Sequence, residues 1–252
     1  MANNNVITFF DIPCKFPGVA WNGFTWRSMY SLNYKGVPYK TVWLEYSEIE
    51  PTLRKFGINP TGTKPDGSPL YTLPAIYDPS TKTGVAESFA IAEYLDKTYP
   101  DKPTLVPTGT GPLINVFTEY ITSKISATFF PFAVPMSHAT LNAVSQPYFR
   151  RTREAAFGKT MEDMLPQGEA KVKEWEKFKQ GLGDIDRVLR TGKGPFVLGE
   201  KPSFADCNLA SIFVWIKVLF GEDSEEWKGL TTSFDGRFGE WTKEMKKYES
   251  VV

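Results

Sequence analysis

Through the first hundred positions, short apolar runs alternate with stretches in which apolar residues recur at helical spacing. Val6-Ile7-Thr8-Phe9-Phe10 is a β-branched and aromatic run and predicts a strand. Residues 25–35 carry an apolar stripe of Trp26, Met29, Tyr30 and Leu32; Gly36 sits as a C′ glycine with Pro38 beyond, which predicts a helix. Residues 41–46 predict a second strand, and residues 48–56 a short helix closed by Gly57. Residues 73–77 and a partner near Val85 predict a hairpin, because Asp78-Pro79-Ser80-Thr81-Lys82-Thr83-Gly84 between them is turn-forming. Residues 88–98 predict a third helix that stops before Tyr99-Pro100.

The order βαβαββα describes a small sheet with helices packed on it, a thioredoxin-like layout. A Pro-, Gly- and Thr-rich passage, residues 101–112, reads as a linker, and strand patterns vanish after it. Helical spacing then covers 113–130, 146–164, 168–190 and 204–220, with a fifth helix near 238–248. Ser203-Phe204-Ala205-Asp206 has the form of a capping box, with Asp206 in place of the usual Glu, and it opens the most apolar helix of the chain. The expectation is an α+β chain: a thioredoxin-like domain at 1–100, a linker at 101–112 and an all-α domain at 113–252.

Composition narrows the function. Over 252 residues, 29 basic and 29 acidic side chains give no net charge, which argues against a nucleic-acid partner that would need a basic face. Aromatic residues make up 15%, enough to fill core and still line a pocket for flat aromatic ligands. Two cysteines, Cys14 and Cys207, rule out a disulfide framework, and with a single histidine, His138, no metal site is expected. Met1-Ala2-Asn3-Asn4-Asn5 lacks the basic and apolar regions of a signal peptide, and no run approaches the ~20 apolar residues of a membrane span. Cytoplasm is the expected compartment.

Two segments carry the chemistry. In Tyr71-Thr72-Leu73-Pro74-Ala75-Ile76, an X-Pro bond entering an apolar strand can be held cis, leaving the preceding backbone N–H and C=O to face outward. In Glu87-Ser88-Phe89-Ala90-Ile91, an acidic residue and a hydroxyl open a helix, whose free N–H donors receive a carboxylate. The pair forms a grip for a short peptide's main chain and terminal charges.

These residues, with the all-α second half and the Ser203 to Asp206 cap, resemble a cytosolic glutathione transferase over essentially the whole chain. Trp26-Arg27, Leu32-Asn33-Tyr34-Lys35-Gly36, Tyr71-Thr72-Leu73-Pro74 and Phe149-Arg150-Arg151-Thr152-Arg153-Glu154 are similar to the fungal-specific A class, which is related to β-aryl etherases and includes ligandin-like members that bind polyphenols. The resemblance implies glutathione as cofactor, a homodimer, and a glutathione site of Trp26, Thr72, Leu73, Pro74, Glu87 and Ser88. Within it, Leu73 pairs with the cysteinyl backbone, Ser88 takes the γ-glutamyl carboxylate and Glu87 the ammonium.

A transferase must also ionise the thiol, whose free pKa is about 8.5. The resemblance implies a serine near the start of the first helix, and this chain has Asn22 at that place, followed by Gly23. An asparagine amide donates to a thiolate but accepts no proton. Thr25 is the substitute hydroxyl, or simply the helix N-cap, and the two residues stand as alternatives. Cys14 lies in a loop before the helix and reads as inert, and Cys207 as core. For the second substrate, Phe129, Phe130, Phe132 and Met136 lie in a segment that Pro131 and Pro135 are expected to break into an irregular wall, with Trp21 opposite. The function expected is transfer of the glutathione thiol to, or reduction of, small aromatic electrophiles. A polyphenol-binding ligandin and an aryl-ether-cleaving enzyme are the alternatives.

Overall fold

The computed structural model describes residues 6–252, the Ser126 side chain excepted, so Met1 to Asn5 and the leader reading made on them lie outside the described residues. Strand β1 (Ile7–Asp11) pairs parallel with β2 (Tyr39–Trp43), in the register Phe9 opposite Thr41, and the helix between them is α1 (Gly23–Lys35). Helix α2 (Tyr46–Lys55) follows, then a two-residue ladder of β3 (Gly62–Thr63) with β4 (Pro69–Leu70). Next, β5 (Ala75–Asp78) pairs antiparallel with both β1 and β6 (Thr83–Ala86), giving the order β2-β1-β5-β6, and α3 (Ser88–Thr98) packs behind. This is the expected thioredoxin-like sheet. Residues 61–68 form β3 and the turn that leads into β4.

The second half is all helix: α4 (Gly111–Thr140), α5 (Gln146–Phe157), α6 (Met161–Met164), α7 (Gly168–Leu189), α8 (Phe204–Phe220), α9 (Glu225–Thr232) and α10 (Arg237–Lys246). The expected helix over 146–164 is divided, because Gly158 at φ 66° closes α5 with a left-handed cap. Helix α8 has the predicted bounds and the predicted cap: the Ser203 backbone N–H donates to Asp206 Oδ2 at 2.9 Å. Among the described residues no helix is long and apolar enough to cross a membrane.

The expected break at Pro131 and Pro135 is absent. Both prolines lie inside one continuous α4. An interior proline costs roughly 3 kcal/mol through its lost hydrogen bond and ring clash. Phe129, Phe132, Ala133 and Val134 are buried on the same stretch, and each large apolar side chain buried contributes about 1.5–3 kcal/mol, so packing outweighs the prolines. Gly181 of α7 permits that packing, since a Cβ there would meet the Lys124 carbonyl oxygen of α4 at 2.3 Å.

Helix α1 lies against α8 and joins the two halves of the chain. Gly23 is its first residue, and a Cβ there would come 2.5 Å from Trp215 Cε3. The Trp215 ring is itself fixed, donating from Nε1 to Ser137 Oγ at 3.0 Å. A second tie reaches α2: Glu45 accepts from Asn142 Nδ2 at 2.7 Å and from the Ser145 hydroxyl, and Ser145 Oγ accepts from the Tyr46 N–H at 3.1 Å. Tyr46 is thereby pinned beside the α4–α5 corner.

Candidate functional site

A cleft of about 830 Å³ opens where the starts of α1 and α3 converge on the strand entrance at Leu73-Pro74, a peptide bond that is cis. Its size is within the ordinary range for small-ligand sites. Of the residues expected from the sequence, Asn22, Thr72, Leu73, Pro74, Glu87 and Ser88 line this one cleft. Ser88 is the first residue of α3, so the cap position falls to Glu87, held at φ 73° and ψ 123°. A non-glycine residue in that region costs about 1–3 kcal/mol and persists only where its surroundings impose it. Here it turns an exposed carboxylate to the mouth of the cleft beside the free N–H groups of a helix start.

Helix α1 begins at Gly23, two residues before the predicted start. Asn22 is therefore its cap: Oδ1 accepts from the Phe24 N–H at 2.9 Å, and among the described residues its Nδ2 finds no partner. The cap uses the oxygen and leaves the amide donor for the cleft. Thr25 is then third in the helix rather than its cap. It is fully buried, its hydroxyl donates to the Asn22 carbonyl at 2.9 Å, and it does not line the cleft. Beneath it lies Asp11, whose carboxyl is pushed up to about 7 by burial, only partly offset by the Thr25 hydroxyl and the Ile12 N–H.

Trp26 is also away from the cleft. Its indole donates to the Ala20 carbonyl at 2.8 Å and packs in the core against Tyr30. The neighbouring Arg27 faces the cleft instead, 100° further around the helix. Its guanidinium lies over the Phe24 ring at 5.0 Å, no carboxylate pairs with it among the described residues, and its Nε has no hydrogen-bond partner. Burial pulls its pKa down to about 10, against the opposing fields of Glu119 and Glu87. On the far side, Glu50 holds Arg54 and Lys64, both at 3.0 Å, and Lys64 arrives there on the β3–β4 hairpin.

A smaller aromatic cavity of about 230 Å³ adjoins the cleft, and Asn22, Phe24, Tyr46 and Arg153 line both. Trp21 lines it as expected, its indole bonded to the Pro13 carbonyl at 3.3 Å. From α4, however, the residues that line it are Phe130 and Val134, one helical turn apart. Phe129 and Phe132 are buried against Phe178 and Trp175 of α7, and Met136 packs on the same core. The reason is the unbroken helix: positions 129, 132 and 136 share one face, and 130 and 134 share another. Phe149, Phe157 and Trp215 complete the walls.

The cysteines line neither space. Burial raises the Cys14 thiol, which donates weakly to the Phe16 carbonyl at 3.4 Å, and Cys207 is fully buried and pushed up further. His138 ends α4 with its ring 6.3 Å from Phe149, and burial lowers its pKa. Sequence reading gave no site role to Arg27, Tyr46, Arg153 and Trp215, and had Phe130 only as part of the Phe129–Met136 wall. Only Arg27 carried a signal, as an arginine in an apolar helix stripe; the others are assembled by packing.

A sheet of this order, a cis-proline at the strand entrance and an open helix start beside it define a thioredoxin-like domain, here joined to a helical second half. Comparison with known sequences identifies the family. Residues 23–98 match the profile of the glutathione S-transferase N-terminal domain, and residues 112–248 that of the C-terminal domain. The chain belongs to the glutathione S-transferase family. It is 31% identical to the glutathione S-transferase-like protein ustS of Aspergillus flavus, over 91% of this chain and 86% of that protein. It superposes with TM-score 0.93 on a glutathione S-transferase of Ceriporiopsis subvermispora crystallised in complex with glutathione, at 42% identity over 98% of this chain and 99% of that one. Glutathione transferase GSTFuA3 of Phanerochaete chrysosporium gives TM-score 0.92 and 38% identity over 99% and 100% of the two chains. Both solved relatives are fungal glutathione transferases.

Proposed function

We propose that this chain binds glutathione in the 830 Å³ cleft and transfers its thiol to small aromatic electrophiles held in the adjoining cavity. One observation carries the reading: Leu73 before the cis-proline, Ser88 at an open helix start and the unpaired Arg27 converge on a single cleft. Ser88, the α3 N–H groups and Arg27 receive the γ-glutamyl carboxylate, and the turned-out Glu87 takes the ammonium. The Leu73 backbone pairs with the cysteinyl unit. Arg54 and Lys64, which share Glu50 on the far side of the cleft, are the cations available to the glycine carboxylate.

The thiol then lies at the start of α1 beside Asn22. The amide Nδ2 and the helix N–H groups stabilise thiolate, lowering its pKa from about 8.5, and the proton passes to water. The thiolate forms a carbon–sulfur bond to the electrophile, and the leaving group departs with the displaced electron pair. Asn22 accepts no proton, so the chain relies on donor stabilisation alone.

A second reading has its own support. The asparagine in place of a hydroxyl, beside a ring-lined cavity, suits a ligandin that holds polyphenols and turns over slowly. The test of glutathione binding is Ser88→Ala. Removing one partner of a charged hydrogen bond costs roughly 1.5–3 kcal/mol, which is about 10- to 100-fold in affinity. Wild-type protein retained on a glutathione resin, with Ser88→Ala largely lost from it, is the expected result; equal retention of both would sink the assignment. Turnover of a chlorodinitrobenzene, set beside thermal stabilisation by a flavonoid, separates enzyme from ligandin.

A further inference from the structure

We propose that Arg153 makes the aromatic cavity selective for flat aromatic molecules that carry an anionic group, a carboxylate, sulfonate or phenolate, over neutral arenes. The proposal rests on reading that cavity as the acceptor side of the glutathione cleft. Among the described residues Arg153 is the one charged side chain in the lining of the cavity, whose remaining walls include Trp21, Phe130, Phe149 and Trp215. Its guanidinium lies over the Phe149 ring with Cζ 4.8 Å from the centroid, an arrangement that holds the planar fork in place. Among the described residues its only hydrogen bond runs from Nη1 to the Thr152 hydroxyl at 3.1 Å, and no carboxylate pairs with it.

The contrast with Arg150, one turn earlier on α5, is direct. Arg150 is bound to Glu154 at 2.8 Å and to Glu162 at 2.7 Å, so those acids are already committed to another arginine. A guanidinium has five N–H donors, and Arg153 uses one. The free donors border apolar rings, where a charge-assisted pair to an oxyanion gains most and an unpaired cation gains least. Tyr46 beside it has its phenol pKa raised by burial and lowered in part by the Arg153 charge, so near neutral pH its hydroxyl is protonated. A flat ring laid against the tilted pair of Phe130 and Trp215, whose own centroids are 6.3 Å apart, with an acid group turned to Arg153 satisfies both halves of the cavity.

Arg153 also borders the glutathione cleft, so glutathione itself is the competing occupant of its fork. Two fluorescent probes of nearly the same shape separate the cases: 8-anilinonaphthalene-1-sulfonate, an anion, and N-phenyl-1-naphthylamine, its neutral counterpart. Arg153→Gln is expected to weaken the sulfonate at least about tenfold and to leave the amine within about twofold, the scale of one lost charge-assisted pair. Arg153→Lys, which keeps charge but loses the fork, falls between. Phe130→Ala weakens both probes. Sulfonate affinity unmoved by Arg153→Gln, or both probes falling together, overturns the proposal. So does a loss of glutathione-resin retention in Arg153→Gln with sulfonate binding intact, which would assign the residue to glutathione. Resin retention of the wild type reports on the transferase reading separately: its failure, with the selective sulfonate loss preserved, would remove that reading and leave the anion-selective cavity standing.

Discussion

In the proposed site Asn22 would divide its side chain between two tasks that a serine would share differently. Its oxygen caps α1 through the Phe24 N–H, so only the amide donor is left for a bound thiol. Asparagine and serine are near-equal N-caps, differing by no more than about 0.5 kcal/mol, so Asn22→Ser should leave the melting temperature almost unchanged. A hydroxyl can donate to the thiolate and pass its proton on, and we expect turnover of a chlorodinitrobenzene to rise about tenfold, with the pH midpoint of the rate moved to lower pH. Unchanged or lower turnover would show that Asn22 does not limit the reaction. Arg27 makes a related point. The sequence motif Trp26-Arg27 was legible, but which of the two faces the ligand depends on a 100° step around a helix whose start was read two residues late. Once α1 begins at Gly23, Trp26 turns to the core and Arg27 to the cleft.

At the scale of elements, the contact between α1 and α8 sets the site. Gly23 brings the start of α1 against the Trp215 ring, and that ring also walls the aromatic cavity. Gly23→Ala would force a methyl into a ring that its bond to Ser137 prevents from stepping aside. Overpacking of this kind costs about 1–3 kcal/mol, so the variant should melt several degrees lower and bind flat aromatics more weakly. Calorimetry and a probe titration check both; a fully stable Gly23→Ala would mean that the helices part freely there. Helix α4 teaches the opposite lesson about local signals. Two prolines read as a break, yet the apolar face of residues 129, 132 and 136 docks on the neighbouring helices and carries the helix through. Local cost was readable in the chain, and the compensating burial was not.

For the whole molecule, one apolar stripe stays on the surface. Leu113 and Val116 are 67% and 68% exposed near the start of α4, and Phe117 and Tyr120 continue the same helical face at intermediate exposure. Such a stripe suits an association surface, and it is where the homodimer implied by the family resemblance is expected to form. Light scattering should return about twice the chain mass of 28.4 kDa, and Leu113→Glu combined with Val116→Glu should return the single-chain mass. A monomeric wild type would remove this reading. The dimer would leave the cleft open, since none of the four residues lines it.

The chain by itself determined its fold class, the bounds of α3 and α8, the capping box at Ser203 and the pairing of the Leu73-Pro74 strand entrance with the Glu87-Ser88 helix start. Each is written in contiguous residues, where periodicity, cap chemistry and proline geometry act over one or two turns. The tertiary structure alone decided the register of α1, the continuity of α4, and the meeting of Phe130, Arg153 and Trp215 around one cavity. Those depend on which faces bury against distant elements, and burial sums many small terms between residues that the sequence keeps far apart.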